Sequence, residues 1–162
     1  MAIDEDLEIL GRQEAELRFA SFNADDAWNL GSSIRGLALA DERPVAVGIW
    51  MAGQMLFYAG TGAVVPSNED WLRRKRNTVL RFGKSSLRVG LELERSGTTL
   101  EARQGLALAD FAAHGGGFPI ALRGTGCVGA VVVSGLTQRE DHNMAVTAIA
   151  GMLGVAVPEL AI

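Results

Sequence analysis

Apolar residues near the start of the chain recur at the spacing of an α-helix. Between residues 24 and 40 they form one stripe, made of Ala27, Trp28, Leu30, Ile34 and Leu37. Asn23 stands before this stripe, and Asp26 lies three residues after Asn23, which is typical of a helix N-cap. The pattern therefore predicts a helix over residues 24–40.

Two pairs of apolar runs predict two β-hairpins. The first pair is VAVGIWM (45–51) and QMLFYA (54–59), and the second is FPIALR (118–123) and CVGAVVVSG (127–135). The tight turn within each pair implies antiparallel strands. Because the runs are almost wholly apolar, we expect helices to cover both faces of the sheet.

Capping residues predict two further long helices. Ser67 and Asp70 indicate the start of a helix over residues 69–82, and Thr137 with Glu140 predicts a final helix that ends near residue 152. The order of helix, hairpin, helices, hairpin and helix predicts an α+β fold, in which helices sandwich one antiparallel sheet.

The segment SSLRVGLELERSG (85–97) is ambiguous, because its leucines and valine alternate like those of a strand. A serine N-cap and Gly97 bracket it as a helix, and Arg88 and Glu92 form an i,i+4 pair, so we favour a helix. Thr98 and Glu101 predict another short helix, and residues 105–113 are expected to add one or two turns.

Length and composition indicate a single soluble domain. The chain has 162 residues, of which 48% are hydrophobic and 21% charged. It contains no apolar run of the roughly 18 residues that a membrane span needs, and its acidic N-terminus is unlike a secretion signal. The single cysteine, Cys127, excludes an intrachain disulfide. We therefore expect a cytoplasmic protein without a membrane partner.

Charge is sorted along the chain. Residues 1–26 carry eight acidic residues and two arginines, whereas residues 71–88 carry seven basic residues and no acidic ones. The basic region could meet nucleic acid, an anionic ligand or another subunit. Nucleic acid is disfavoured, because the net charge of the chain is −4 and no aromatic platform accompanies the basic region. We interpret residues 1–22 as an acidic arm that could pack on a neighbour, and residues 23–162 as the domain.

A helical wheel of residues 71–82 predicts which basic residue points inward. Lys75 falls in the middle of the face formed by Trp71, Leu72, Val79 and Phe82, and Arg76 lies on its border. Lys75 could extend its stem along the core towards water. Alternatively its ammonium could meet a buried carboxylate, or it could hold an anionic ligand.

Three other residues or segments could carry chemistry. His114 opens a glycine-rich turn before Phe118 and Pro119, which either simply feeds a strand or brings backbone N–H groups close to a ligand. His142 lies on the apolar line of the last helix and is most simply a packing residue. Cys127 is most simply a small buried hydrophobe. The spacing of these residues matches no metal site.

Three stretches together resemble one known family. They are PSNEDWLRRKRNTVLRFGKSS, FAAHGGGFPI and GCVGAVVVSGLTQREDH, which carry the motifs W-x-x-R-K-R and H-G-G-x-F-P-I. They resemble the HbpS-like, or haem-degrading-like, family and within it an uncharacterised branch. The resemblance implies a profilin-like antiparallel sheet of about five strands flanked by helices on both faces. It also implies a homo-oligomer, and haem as a possible ligand.

Carried over position by position, the resemblance marks candidate ligand-binding residues. They are Trp71, Lys75, Arg76, His114, Gly115, Gly116, Phe118, Pro119 and His142. Arg74, Ser134, Gly135 and Asp141 also match the family motifs. Gly117 stands where the family commonly has a serine or alanine, which removes a possible hydroxyl donor.

Three functions are consistent with these features. The first is an oligomer that binds haem or another carboxylate-bearing small molecule, with a histidine available to iron. The second is an enzyme acting on a small acid or diol-derived metabolite, with His114 as acid or base, although no oriented nucleophile and base are evident. The third is an assembly protein without a small ligand.

Overall fold

A computed structural model describes residues 2–162, which form six α-helices and four β-strands. In chain order these are α1 (Ala2–Glu16), α2 (Ala24–Ala40), β1 (Ala46–Met51), β2 (Gln54–Gly60), α3 (Pro66–Phe82), α4 (Ser86–Arg95), α5 (Leu100–Gln104), β3 (Gly117–Leu122), β4 (Gly126–Ser134) and α6 (Gln138–Leu153). The α+β class and both hairpins are confirmed.

The four strands form one antiparallel sheet in the order β2-β1-β4-β3. The expectation of about five strands is therefore wrong. The ambiguous segment that alternates like a strand forms α4, whose N-cap Ser85 accepts a hydrogen bond from Arg88 N. Beside β3, where a fifth strand could be added, residues 2–162 make only a single parallel bridge, between Phe19 and Leu122.

The core lies on both faces of this sheet, as the apolar strands predict. On one face, residues such as Ile49 and Val131 pack with Ile34 of α2 and Ile149 of α6. The other face is smaller, and there Trp50, Val132 and their neighbours pack against Leu72 and Val79 of α3. On this second face, α3 is the helix that packs on the centre of the sheet.

Helices α2 and α6 begin as predicted. Asn23 and Asp26 form a capping box at the start of α2, and Thr137 and Glu140 form another at the start of α6. Helix α4 is also confirmed, together with its Arg88–Glu92 ion pair.

Helix α3 begins earlier than predicted, so its predicted cap is wrong. Val65 is the N-cap residue, and its N–H donates to the side chain of Asn68. Pro66 follows as the first helical residue, where its fixed φ favours the helix. Asp70 instead pairs with Arg73.

The region after α4 also differs in detail from the prediction. Thr99, and not Thr98, caps α5. Gly105 then ends α5 in the left-handed conformation, and residues 105–113 contain turns but no further helix. The predicted extra helical turns are absent.

The acidic helix α1 packs on its own chain. Leu10 and Gln13 are buried. Three of its acids pair with basic residues of later elements, as Asp4–Arg95, Asp6–Arg139 and Glu14–Arg88. Three of the eight acidic residues are thus paired with later elements of the same chain, and one of the three partners, Arg88, belongs to the basic region 71–88. The predicted boundary at residue 22 stays a prediction. Within residues 2–162, no helix combines the length and the apolar character needed to cross a bilayer.

Candidate functional site

Lys75 lies inside the protein, as the helical wheel predicts. Its side chain leaves the middle of α3 towards the sheet, and the residue is 3% exposed. Its Nζ donates to the carbonyl oxygen of Val133 at 3.0 Å and to Oδ2 of Asp141 at 3.1 Å. Of the alternatives open from the sequence, the structure therefore shows a buried ion pair within the chain.

Asp141 is held in place by the backbone before α6. Its carboxylate accepts hydrogen bonds from Leu136 N at 2.9 Å and from Gly135 N at 3.3 Å, in addition to the one from Lys75. Sequence reasoning did not identify it as the partner of Lys75. The sequence did contain a signal for this partner. A buried lysine requires a buried anion, and Asp141 is an acidic residue beside the apolar positions of the final helix.

Burial acts on both partners of this pair. Desolvation lowers the pKa of Lys75 and raises the pKa of Asp141, since each charged form loses hydration. Their mutual attraction and hydrogen bond oppose both shifts. The free-energy difference between the charged and the neutral forms of this pair is therefore smaller than for an ion pair on the surface.

A cleft of about 310 Å³ opens above this ion pair. Trp71 and His114 stand together at its rim, with ring centroids 5.2 Å apart in an edge-to-face arrangement. The guanidinium of Arg74 lies 4.5 Å from the Trp71 ring. The rest of the wall is formed by Asn68, Gly115, Ser134, Gly135, Leu136 and Gln138.

His114 is exposed but covered on one side by its neighbours. This partial desolvation, together with the positive charges of Lys75 and Arg74, lowers the pKa of His114 below its usual value of 6.5. The imidazole is therefore neutral at neutral pH and can act as an acceptor or a metal ligand.

The glycine turn serves packing more than the cleft. Gly115 N donates to Oε1 of Gln138 at 3.1 Å, and Gly117 N donates to Oγ of Ser86 at 2.9 Å. Two of the N–H groups that could have met an anion are thus used inside the chain. Gly116 has a φ of +130°, and a Cβ there would lie 2.2 Å from Val133 O and 2.8 Å from Lys75 Nζ, so a side chain would not fit.

The structure brings together only some of the predicted site residues. Trp71, Lys75, His114 and Gly115 line the cleft, and Gly116 adjoins Lys75. The remaining candidates lie elsewhere. Arg76 is over the Trp50 ring at 5.1 Å, Phe118 and Pro119 are buried in β3, and His142 is buried beneath α1.

His142 has a buried partner on the N-terminal helix. Its Nε2 lies 2.8 Å from Oε1 of Gln13, so Nε2 carries the proton and donates it. Nδ1 has no hydrogen-bond partner among the described residues. Burial lowers the pKa of His142 to about 3, which keeps the ring neutral. The simple interpretation of His142 as a packing residue fits this position.

We expect His142 to make the protein sensitive to mild acid. Its pKa of about 3 in the folded chain is below the roughly 6.5 of an unfolded one, so protonation favours unfolding between these values. The contribution of neutral His142 to the free energy of unfolding is complete above pH 6.5 and is lost as the pH falls below that value. Wild type should therefore lose up to about 1.4 kcal/mol per pH unit more than His142→Gln, which keeps an N–H donor. Urea unfolding at pH 7.5, 6 and 5 measures this; parallel losses would contradict it.

Cys127 is exposed, so the expectation of a buried cysteine is wrong. It is the second residue of β4, before this strand enters the core. Sequence reasoning also missed Asn68 and Gln138 as cleft residues, although both lie in the stretches that resemble the family, because only tertiary packing brings the starts of α3 and α6 together.

Comparison with known proteins assigns the family. The family described as "Haem degrading protein HbpS-like" matches residues 22–150. This chain belongs to the HbpS-like family. Among its HbpS-like relatives are UPF0303 proteins. That of Azotobacter vinelandii is 49% identical over 162 residues, covering 100% of this chain and 98% of the relative. That of Sinorhizobium medicae is 48% identical over 160 residues, covering 99% and 98%.

Solved structures share the HbpS-like fold. The Ybr137w protein superposes with a TM-score of 0.84 at 33% identity, covering 91% of this chain and 87% of its own. HbpS itself gives a TM-score of 0.67 at 22% identity, covering 86% and 96%. A PduOC:haem complex gives 0.69 at 19% identity, covering 87% and 99%. The latter two likenesses show the fold alone.

Proposed function

We propose that this protein is a homo-oligomer that binds a small carboxylate-bearing molecule in the cleft between Trp71, His114 and the buried Lys75–Asp141 pair. The observation that carries this proposal is an ammonium group on the floor of an open cleft whose rim holds two aromatic rings. Ligand sites typically combine such apolar or aromatic walls with a few placed polar groups. The cytoplasmic location stays a prediction.

Several groups would favour a carboxylate there. An ammonium has three N–H donors, and Lys75 uses two of them on Val133 and Asp141, which leaves the third for a ligand. The start of α6 contributes the positive end of a 16-residue helix dipole. Arg74 adds a cation beside the rim. Because Asp141 already balances Lys75, we expect modest affinity for a bare anion and greater affinity for one with a flat apolar body.

Haem is the first ligand to test, because of the family description and the haem complex of PduOC. The residues present fit it in part. His114 offers a neutral, exposed imidazole to iron, and Arg74 and Lys75 suit the propionates. His142 does not fit, because it is fully buried and bonded to Gln13. When bound, haem would supply an iron centre for redox or oxygen chemistry.

Size sets a further limit. A cleft of about 310 Å³ lies at the lower end of the roughly 300–1,000 Å³ of ligand pockets. It suits one carboxylate and part of a ring system. A whole porphyrin would extend beyond it, over the exposed Gln138 or towards another subunit.

Titration with haemin tests the haem proposal. We expect a Soret shift in wild type that His114→Ala weakens at least tenfold, and that Trp71→Ala weakens by a similar factor through loss of stacking. Met152→Ala is the control, because Met152 is an exposed apolar residue that lines no part of this cleft. Absence of a shift in wild type, or an unchanged shift in His114→Ala, would remove haem.

Amide NMR tests carboxylate binding separately. Benzoate and succinate should shift the backbone amide signals of Gly115, Gly135 and Leu136, which lie in the wall, and benzoate should bind more tightly. Trp71→Ala should reduce that preference for benzoate, whereas Met152→Ala should keep it. If neither acid nor protoporphyrin moves these signals, the binding proposal is wrong.

A further inference from the structure

The two edges of the sheet are treated differently. On β3, the outer edge is covered by the segment around Phe19, whose N–H donates to Ala121 O and whose carbonyl accepts from Arg123 N. Pro119 further limits pairing there, and every β3 residue except Leu122 is buried. Folded proteins protect sheet edges in this way because unpaired strands attract other strands.

Strand β2, at the opposite edge, is covered by no other segment of residues 2–162, and its one irregularity is a register shift at Leu56, near the hairpin turn. Its sequence QMLFYAG contains no charged residue and no proline. Met55 and Tyr58 are 46% and 45% exposed. Within residues 2–162, no further strand pairs with β2 beyond β1. An uncharged, apolar, open edge is a template for another strand.

The hydrogen-bond pattern shows which backbone groups of β2 point outward. Thr61 N donates to Val45 O, so the pairs 45/61, 47/59 and 49/57 are the hydrogen-bonded pairs of the β1–β2 ladder. The pairs alternate, so the N–H and C=O groups of Tyr58 and Gly60 are directed away from β1.

An exposed stripe of α2 lies beside this edge. Trp28 is 65% exposed and its ring contacts Phe57 of β2, with centroids 5.7 Å apart. Ser32, Arg35 and Leu39 continue the stripe at helical spacing and are all exposed. Neither Arg35 nor Asp25, one turn before Trp28, has an ion-pair partner in the part of the chain that the structure describes.

We propose that the partner of this surface is a second copy of the same chain, which pairs antiparallel through β2 about a two-fold axis near Tyr58. This arrangement places Tyr58 opposite its own copy, in the regular part of β2 from Phe57 to Gly60, and the register shift at Leu56 bounds the new pairing. The outward backbone groups then meet, and two sheets become one continuous eight-stranded sheet. Identical charged strands would repel each other in such a pairing, whereas β2 carries no charge.

Charge complementarity of α2 supports a two-fold arrangement. Gly31, close to the middle of α2, lies directly over Phe57, since a Cβ there would come within 2.4 Å of that ring. Because Phe57 is next to Tyr58, an axis at Tyr58 sets the first half of one α2 against the second half of the other. Asp25 and Trp28 then face Arg35 and Leu39 of the second copy. This pairing offers an ion pair, a cation–π contact and apolar contact, each made twice.

This inference rests on the homo-oligomer of the proposed function and names its surface. It can fail independently of ligand binding, because none of the residues that line the Trp71–His114 cleft belongs to β2 or α2. Haemin and benzoate titrations of each interface variant therefore show separately whether the cleft is intact.

Light scattering of the eluted protein tests the proposal. We expect the mass of the Tyr58→Lys assembly to be half that of the wild-type assembly or less, because the lysine places a charge on the strand edge. Leu108→Lys, at an exposed leucine in a loop, is the control and should keep the wild-type mass. A wild-type mass of one chain, or equal masses for the two variants, would overturn the proposal.

Two further experiments test the register. Arg35→Glu should weaken association at least tenfold, and adding Asp25→Arg should restore most of it, which a different interface would not explain. In a Cys127→Ser background, Tyr58→Cys should form a disulfide-linked dimer on mild oxidation, because a directly opposed hydrogen-bonded pair has a Cα separation of about 5.5 Å. Failure of both would exclude the two-fold axis at Tyr58.

Discussion

Replacing Lys75 with methionine is expected to lower the free energy of unfolding by about 3–5 kcal/mol. Methionine fills a similar space, so the loss comes mainly from the charge that remains. Asp141 would stay buried with the backbone N–H groups of Gly135 and Leu136 but without a cation. Urea unfolding at pH 7 measures the loss, and Arg81→Met, which removes an exposed cation of the same helix, should change stability by no more than about 0.5 kcal/mol.

A double-mutant cycle identifies the cause of this loss. Asp141→Asn alone leaves the Lys75 ammonium buried without a carboxylate, so it should also destabilise by several kcal/mol. Lys75→Met combined with Asp141→Asn removes both charges while keeping an oxygen for the two backbone donors. We expect the double variant to be more stable than the sum of the single losses predicts, by about 1–3 kcal/mol. Additive losses would show that the two side chains do not interact.

The burial of Lys75 could be predicted from the sequence because helical periodicity is local. Four apolar residues of α3 define one face, and Lys75 falls within it whatever the rest of the fold is. Its partner could not be predicted in the same way. Asp141 lies 66 residues away, and only the pairing of β3, β4 and β1 brings the start of α6 beside α3.

Helix starts also have local causes, yet not every one of them was predicted. The capping boxes at Asn23 and Thr137 depend on residues three positions apart, and both are confirmed. The start of α3 was missed although its cause is also local. The prediction relied on Ser67 and Asp70, whereas the helix begins at Pro66, whose fixed φ favours the first helical position.

The sorted charge could be predicted, but its use could not. Sequence alone left the acidic residues 1–26 and the basic residues 71–88 free to meet ligands or neighbours. In the folded chain Glu14 lies against Arg88, because α1 packs on α4. The cleft residues Asn68 and Gln138 were missed for a related reason, since loop and helix ends meet there through tertiary packing.

Gly116→Ala is expected to lower the free energy of unfolding by more than about 3 kcal/mol. A Cβ there would lie 2.2 Å from Val133 O and 2.8 Å from Lys75 Nζ, so the strand, the lysine or both must move. The φ of +130° is itself strained for any residue with a side chain. Because Val133 O and Asp141 are the acceptors of Lys75, displacement of Nζ would also break the ion pair.

A matched glycine separates these two causes. Gly126 also has a large positive φ, of +105°, but a Cβ there would meet nothing within 4 Å. Gly126→Ala should therefore show the cost of such a backbone conformation without a steric clash, about 1–3 kcal/mol. We expect Gly116→Ala to exceed it by at least about 2 kcal/mol and to weaken benzoate binding, which Gly126→Ala should leave intact. Equal losses would mean that the chain beside Lys75 can relax, and that the floor of the cleft does not depend on the close approach of Gly116.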